Sequence, residues 1–253
     1  MPLSFFSGRR QRTVTSAPEG TRIYAIGDIH GRADLLADMH HYVAADAAKY
    51  PDHRLVLVYL GDYVDRGLES KSVIDLLLDS PLPGFEIVHL MGNHEEMLLD
   101  FLDDQNRGRG WLDIGGAATL LSYGVRMNDR QPPAGRLATA QEGLKACLPQ
   151  RHLEFLRDLR LYHSEGDYLF VHAGIRPGIK LEDQKARDLL WIRRNFLEST
   201  ANHGQIVVHG HSVTWEPEVQ PNRICIDTGA FATGVLTCLI LDGSERMIMQ
   251  TEA

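Results

Sequence analysis

The chain has 253 residues, 43% of them apolar and 24% charged, with a formal net charge of −8. That length supplies a full hydrophobic core, and that balance excludes a disordered or fibrous chain. The acidic charge repels nucleic acid and anionic membrane at long range, so neither is expected as a partner.

The opening segment carries Arg9, Arg10 and Arg12 without a following apolar stretch. An export signal would need that stretch, so residues 1–20 read as a flexible arm ahead of one domain over 21–253. From Arg22 the rhythm is that of βαβ units. Arg22–Gly27 is predicted as a buried strand. Ala33–Lys49 places Leu35, Leu36, Met39, Tyr42 and Val43 on one helical face. Arg54–Leu60 is a second strand and Ser70–Leu78 a second helix, ended by Pro81 and Pro83. Glu86–Leu90 is a third strand, and Glu95–Phe101 opens a third helix.

Residues 105–160 change character. They turn Gly- and Arg-rich and then helical, with Trp111–Tyr123 interrupted at Gly115 and Gly116. This stretch reads as a helical insert within the domain. Strands return at Tyr168–Val171, Gln205–Val208, Arg223–Ile226, Val235–Leu241 and Met247–Gln250. The fold class expected is α/β, a sandwich of two mixed sheets flanked by helices. Cys147, Cys225 and Cys238 fit neither a zinc knuckle nor a disulfide ladder, and a reducing cytoplasm suits them best.

The chemistry lies where the strands end. Three early strands finish in Gly27-Asp28-Ile29-His30-Gly31, Gly61-Asp62-Tyr63-Val64-Asp65-Arg66-Gly67 and Gly92-Asn93-His94-Glu95. Two later ones finish in His172-Ala173-Gly174 and His209-Gly210-His211-Ser212. A buried strand delivers a polar group to its carboxyl end, glycine turns the backbone there, and ligands bind on that rim. Carboxylate, amide and imidazole donors without cysteine suit borderline divalent ions. Six such donors exceed one catalytic site and match two ions, about 3.5–4 Å apart, sharing a bridging carboxylate. The other histidines, His40, His41, His53, His89, His152, His163 and His203, lack partners of the right type. They are read as packing or surface groups.

The ordered motifs GDIHG, GDYVDRG, GNHE, HAG and HGH resemble those of the phosphoprotein phosphatases, the metallophosphoesterases that hydrolyse phosphoserine and phosphothreonine. The bacterial and phage branch is the nearer likeness, and the similarity runs from residue 22 to about 242. The resemblance implies Asp28 and His30 at a first metal, Asp62 bridging, and Asn93 and His172 at a second. It favours His211 over His209 as the last ligand, with His209 behind it. Manganese is the expected ion, with iron and zinc also compatible. By the same resemblance His94 is the general acid, Asp65 its orienting carboxylate, and Arg66 and Arg193 the phosphate clamps. Metal-bound hydroxide would attack phosphorus directly, without a phosphoenzyme. Met91 departs from the pattern, because some phage-type members carry an arginine there. The expected substrate is a phosphoprotein or a small phosphoester, phosphotyrosine included. The alternative is a symmetrical diadenosine tetraphosphate hydrolase, a family that usually has alanine where this chain has Asp65.

Overall fold

The computed structural model of the chain describes residues 15–127 and 132–252. Strand β1 (Thr21–Ile26) is buried at every residue. Burial on both faces explains its unbroken apolar run. Ile23 and Ala25 face one core, while Tyr24 and Ile26 face another, as a period of two requires. Parallel to β1 run β2 (Arg54–Tyr59) and then β3 (Phe85–His89). Antiparallel to it lie β9 (Thr237–Asp242) and then β10 (Glu245–Gln250). The order β10-β9-β1-β2-β3 makes the first mixed sheet.

The second sheet has the order β4-β5-β6-β8-β7. Its centre is parallel: β5 (Tyr168–Val171), β6 (Ile206–His209) and β8 (Arg223–Cys225). Its edges are antiparallel: β4 (Tyr162–Glu165) on β5, and β7 (Glu218–Val219) on β8. Neither edge strand is anticipated from sequence. The four residues of β4, Tyr-His-Ser-Glu, alternate exposed and half-buried and contain no apolar run. Pairing with β5 makes this segment a strand, and its own composition does not.

The two sheets pack face to face through Ile23, Ala25, Val56, Val58, Tyr168, Phe170, Val208 and Ile224. Helices α1 (Ala33–Ala47) and α2 (Ser70–Asp79) cover the outer face of the first sheet with Leu36, Met39, Val43, Val73 and Ile74. Residues Leu189, Ile192 and Phe196 cover the second. The molecule is therefore the expected sandwich of two mixed sheets between helices. Each large aliphatic side chain removed from water in these layers is worth about 1.5–3 kcal/mol.

Helix α3 (Asn93–Asp103) starts two residues earlier than Glu95, so Asn93 and His94 sit in its first turn. Residues 105–160 hold helices and turns, with no extended strand among the described residues. The predicted break falls at Gly115, which has φ 126° inside the widened turn Leu112–Gly116. Of the expected N-terminal arm, residues 1–14 lie outside the described residues. Its end is held: the Ala17 amide donates to Gly243 and the Ser16 amide to Asp167.

Two of the histidines read as packing or surface groups, His40 and His89, pack against Tyr59. His40 Nε2 lies 2.6 Å from the Tyr59 hydroxyl, and His89 stacks on Tyr59. Burial pushes both down to about 4. The unfolded chain protonates them near 6.5. It therefore takes up protons first as pH falls, and folding loses stability between about pH 6.5 and pH 4. Thermal melts should drop across that window, with a shallower slope in His40→Gln. An unchanged slope would remove His40 from this account.

Candidate active site and metal centre

Six parallel strands of the two sheets aim their carboxyl ends at one rim. Asp28 and His30 follow β1, Asp62 follows β2, and Asn93 and His94 follow β3. His172 follows β5, His211 follows β6, and Asp227 follows β8. All eight are buried. The turns that deliver them are tight. Among the described residues five non-glycines have positive φ, and every one belongs to this rim: His30 (46°), Asp62 (52°), Asp65 (74°), Arg66 (65°) and His211 (63°). Each such conformation costs of order 1–3 kcal/mol and persists only where the surroundings impose it. The flanking glycines are equally constrained. A Cβ at Gly92 would strike Asp62, and one at Gly210 would strike Asp28.

The donor atoms converge around Asp62. Its Oδ2 lies 3.4 Å from His30 Nε2, and its Oδ1 lies 3.4 Å from His172 Nε2. One carboxylate thus presents an oxygen to each side. On the second side Asn93 Oδ1 is 3.0 Å from His172 Nε2 and 2.8 Å from His211 Nδ1. On the first side the His211 amide donates to Asp28 Oδ2 at 3.0 Å, leaving Asp28 Oδ1 buried without a partner.

Tautomers decide what these atoms can bind. His30 Nδ1 faces the Val64 carbonyl and His172 Nδ1 the Leu60 carbonyl, each at 2.9 Å. Those contacts use the ring N–H, so both Nε2 atoms are lone pairs. Burial keeps both rings neutral, His30 down at about 3. A lone pair of His172 then faces the Asn93 oxygen, an arrangement that makes sense around a cation. The carboxylates agree. Burial, then the charges of Asp227 and Asp62, push Asp28 well above the carboxylate range. Burial brings Asp227 to about 6. Positive charge relieves that crowding. Asp28, His30 and Asp62 can hold one divalent ion, and Asp62, Asn93, His172 and His211 a second.

His94 also lies within reach of Asp62, its Nε2 at 3.8 Å from Oδ2. However, the same nitrogen faces the Arg66 guanidinium at 3.3 Å, a poor neighbour for a cation. Its Nδ1 is 2.7 Å from Asp65 Oδ2. Burial alone would lower the His94 pKa, but Asp62 and Asp65 outweigh it and hold the pKa raised. Asp65 is itself built in. It accepts from the Trp111 indole N–H at 2.8 Å and the Thr119 hydroxyl at 2.6 Å. Arg66 sits over the Phe231 ring at 4.5 Å. Arg193 is exposed beside the site, and its charge acts on His172 and His211. His209 lies behind, with Nδ1 on the Gly210 carbonyl and its ring against Phe196, outside the converging donors.

Sequence reasoning missed several supporting groups. The Glu95 carboxylate accepts four backbone N–H groups, from Asp62, Tyr63, Val64 and Gly92. It thereby shapes the turn that presents Asp62. Trp111 fills core and also donates to Asp65 from the insert. Asp227 and Phe231 carried no signal of their own.

The profile of the calcineurin-like phosphoesterases matches residues 21–232, most of the chain and the whole of this rim. The chain belongs to that family. Calcineurin-like phosphoesterases work with divalent metal ions, and two groups of buried donors here, His30 with Asp62 and His94, and Asp62 with His172 and His211, each lie within 4.8 Å. This phosphoesterase is 29% identical over 224 residues to serine/threonine-protein phosphatase 2 of Salmonella typhimurium, 85% of this chain and 90% of that one. It is 26% identical over 235 residues to the asymmetrical bis(5'-nucleosyl)-tetraphosphatase PrpE of Anoxybacillus flavithermus, 85% and 88% of the two chains. Among solved structures, a cold-active protein tyrosine phosphatase superposes with a TM-score of 0.62 at 16% identity, over 93% of this chain and 80% of that one. That likeness shows the fold. No helix of the described residues is long and apolar enough to cross a membrane.

Proposed function

We propose that this phosphoesterase hydrolyses phosphomonoesters, with phosphoserine and phosphothreonine in proteins as its main substrates and phosphotyrosine also accepted. The observation that carries the reading is the buried Asp65–His94 pair at 2.7 Å, held from the far side by Trp111 and Thr119. A serine or threonine alkoxide is a poor leaving group and needs a proton as it departs. A good nucleotide phosphate leaving group has far less need of a tuned acid. The pair is thus matched to the harder reaction.

In this reading Asp28, His30, Asp62, Asn93, His172 and His211 hold two divalent ions, manganese foremost. Bound there, such ions supply Lewis acidity at phosphorus and an activated water. The chain does the rest. Arg66 swings its fork from His94 to two phosphoryl oxygens, and Arg193 supplies a second guanidinium to the same phosphate. That movement frees His94 Nε2 to carry a proton and deliver it to the leaving oxygen. Asp65 keeps Nδ1–H in place and the imidazolium stable. His209 supports the His211 turn. A soluble cytoplasmic setting fits the free thiols.

The names of relatives favour one competing substrate, a dinucleoside polyphosphate. Purified protein with Mn²⁺ should be offered para-nitrophenyl phosphate, a phosphothreonine peptide and diadenosine tetraphosphate. The proposal expects kcat/KM for the phosphopeptide to exceed that for the dinucleotide at least tenfold. The reverse order would overturn it.

A further inference from the structure

A cleft of about 890 Å³ opens beside the rim, lined by Glu96, Asp100, Arg107, Arg176, Arg187, Asp188, Trp191, Ile192, Arg193, Arg194 and Asn195. Its link to the site is Trp191. That ring meets His211 edge-on at 6.2 Å, and its indole N–H donates to Glu96, two residues past His94. Most of the charges in this cleft are already balanced. Arg176 forms a two-pronged pair with Asp188, Arg107 pairs with Asp100, and Arg194 turns to Glu198. Glu96 is engaged by Trp191. Two guanidiniums remain without a hydrogen bond or ion pair among the described residues, Arg187 and Arg193. Both are exposed.

Arg193 is the one whose charge acts on His172 and His211. Arg187 is four residues before Trp191 on the short helix Ala186–Trp191, about one turn along it, and lines the same cleft. It has no counterpart in the chemistry of a single phosphate. An uncommitted guanidinium on a cleft wall, in a protein of net charge −8, is a specific attraction for a second anion.

We infer that Arg187 forms a second anion-binding position in this cleft and selects phosphopeptides with an acidic residue near the phosphorylated one. The inference rests on the phosphomonoesterase reading above. A Lys or Arg at the same peptide position would meet Arg187 with like charge and be disfavoured.

The test compares three phosphothreonine peptides that differ only in carrying Glu, Ala or Lys at the second to fourth positions on both sides. Wild-type enzyme, Arg187→Gln and Arg187→Glu are assayed with Mn²⁺. Para-nitrophenyl phosphate runs alongside as the measure of the intact catalytic centre. Wild type should favour the Glu peptide over the Ala peptide about tenfold in kcat/KM. Arg187→Gln should erase that ratio, and Arg187→Glu should reverse the order of the Glu and Lys peptides. All three proteins should hydrolyse para-nitrophenyl phosphate equally. Equal use of the peptides by wild type, or a preference that survives Arg187→Glu, would overturn the inference while leaving the phosphomonoesterase standing. A fall confined to diadenosine tetraphosphate in the variants would overturn it too, by placing a polyphosphate in the cleft. No turnover of para-nitrophenyl phosphate or any peptide by wild type would instead sink the reading beneath it.

Discussion

Asp62→Asn should lower kcat/KM for any phosphomonoester by about 10⁴-fold or more, roughly 5.5 kcal/mol of transition-state stabilisation. The two oxygens of Asp62 face His30 and His172 at 3.4 Å each. An amide keeps one acceptor oxygen and the volume, but it loses the charge and one of the two donors. Metal analysis of the dialysed protein should therefore fall from two ions per chain toward one or none. Chelation of wild type should abolish turnover in the same way, and Mn²⁺ should restore it. Stability moves with loading. Ions at 100 times their Kd add about 2.7 kcal/mol to a folded state that alone binds them. Asp28→Asn offers a control of opposite sign. Burial and the charges of Asp227 and Asp62 crowd that carboxylate, while an amide oxygen can still accept the His211 N–H. Chelated Asp28→Asn should melt no lower than chelated wild type, yet gain less from added Mn²⁺. A chelated variant melting well below wild type, with an undiminished Mn²⁺ response, would remove Asp28 from the metal centre.

His94→Asn should cost about 10²–10⁴-fold in kcat with a phosphoserine or alkyl phosphate substrate. With para-nitrophenyl phosphate the loss should be much smaller, because that phenolate leaves without a proton. Asp65→Asn should follow the same dependence on leaving group more mildly. It should also move the alkaline limb of the rate profile. The acid works while protonated, so the rate falls as pH rises through the pKa of His94. Asp62 and Asp65 raise that pKa against the effect of burial. Removing the Asp65 charge must lower it, and the limb must move toward acid. A limb that stays in place, or equal losses on both substrates, would mean that the pair is structural.

Much of this was legible because the strands repeat one device. Strands β1, β5 and β6 are buried along their whole length and β2 over its second half, whereas β3 is largely half-buried; each ends in a glycine-flanked polar cluster. Period and burial located β1, β2, β3, β5 and β6, the clusters marked Asp28, His30, Asp62, Asn93, His94 and His172, and the family resemblance favoured His211 over His209. Strands β4 and β7 were not legible, since an edge strand of Tyr-His-Ser-Glu becomes one only when β5 offers it hydrogen bonds. Nor were the groups that tune the site. Trp111 and Thr119 lie 46 and 54 residues from Asp65, yet both donate to it, because the insert folds back over the second motif. Glu95 stood in a motif, but its four backbone donors come from turns that only the packed sheets bring together. The same holds for Arg187, whose free charge depends on which acids its neighbours have already taken. The amino-acid sequence alone determined the fold class, the residue types of the rim and the chemistry they suit, because local periodicity and donor identity are properties of the chain. The tertiary structure decided which atoms face each other, which tautomers they hold and which charges remain unpaired, because those depend on contacts between residues far apart in the chain.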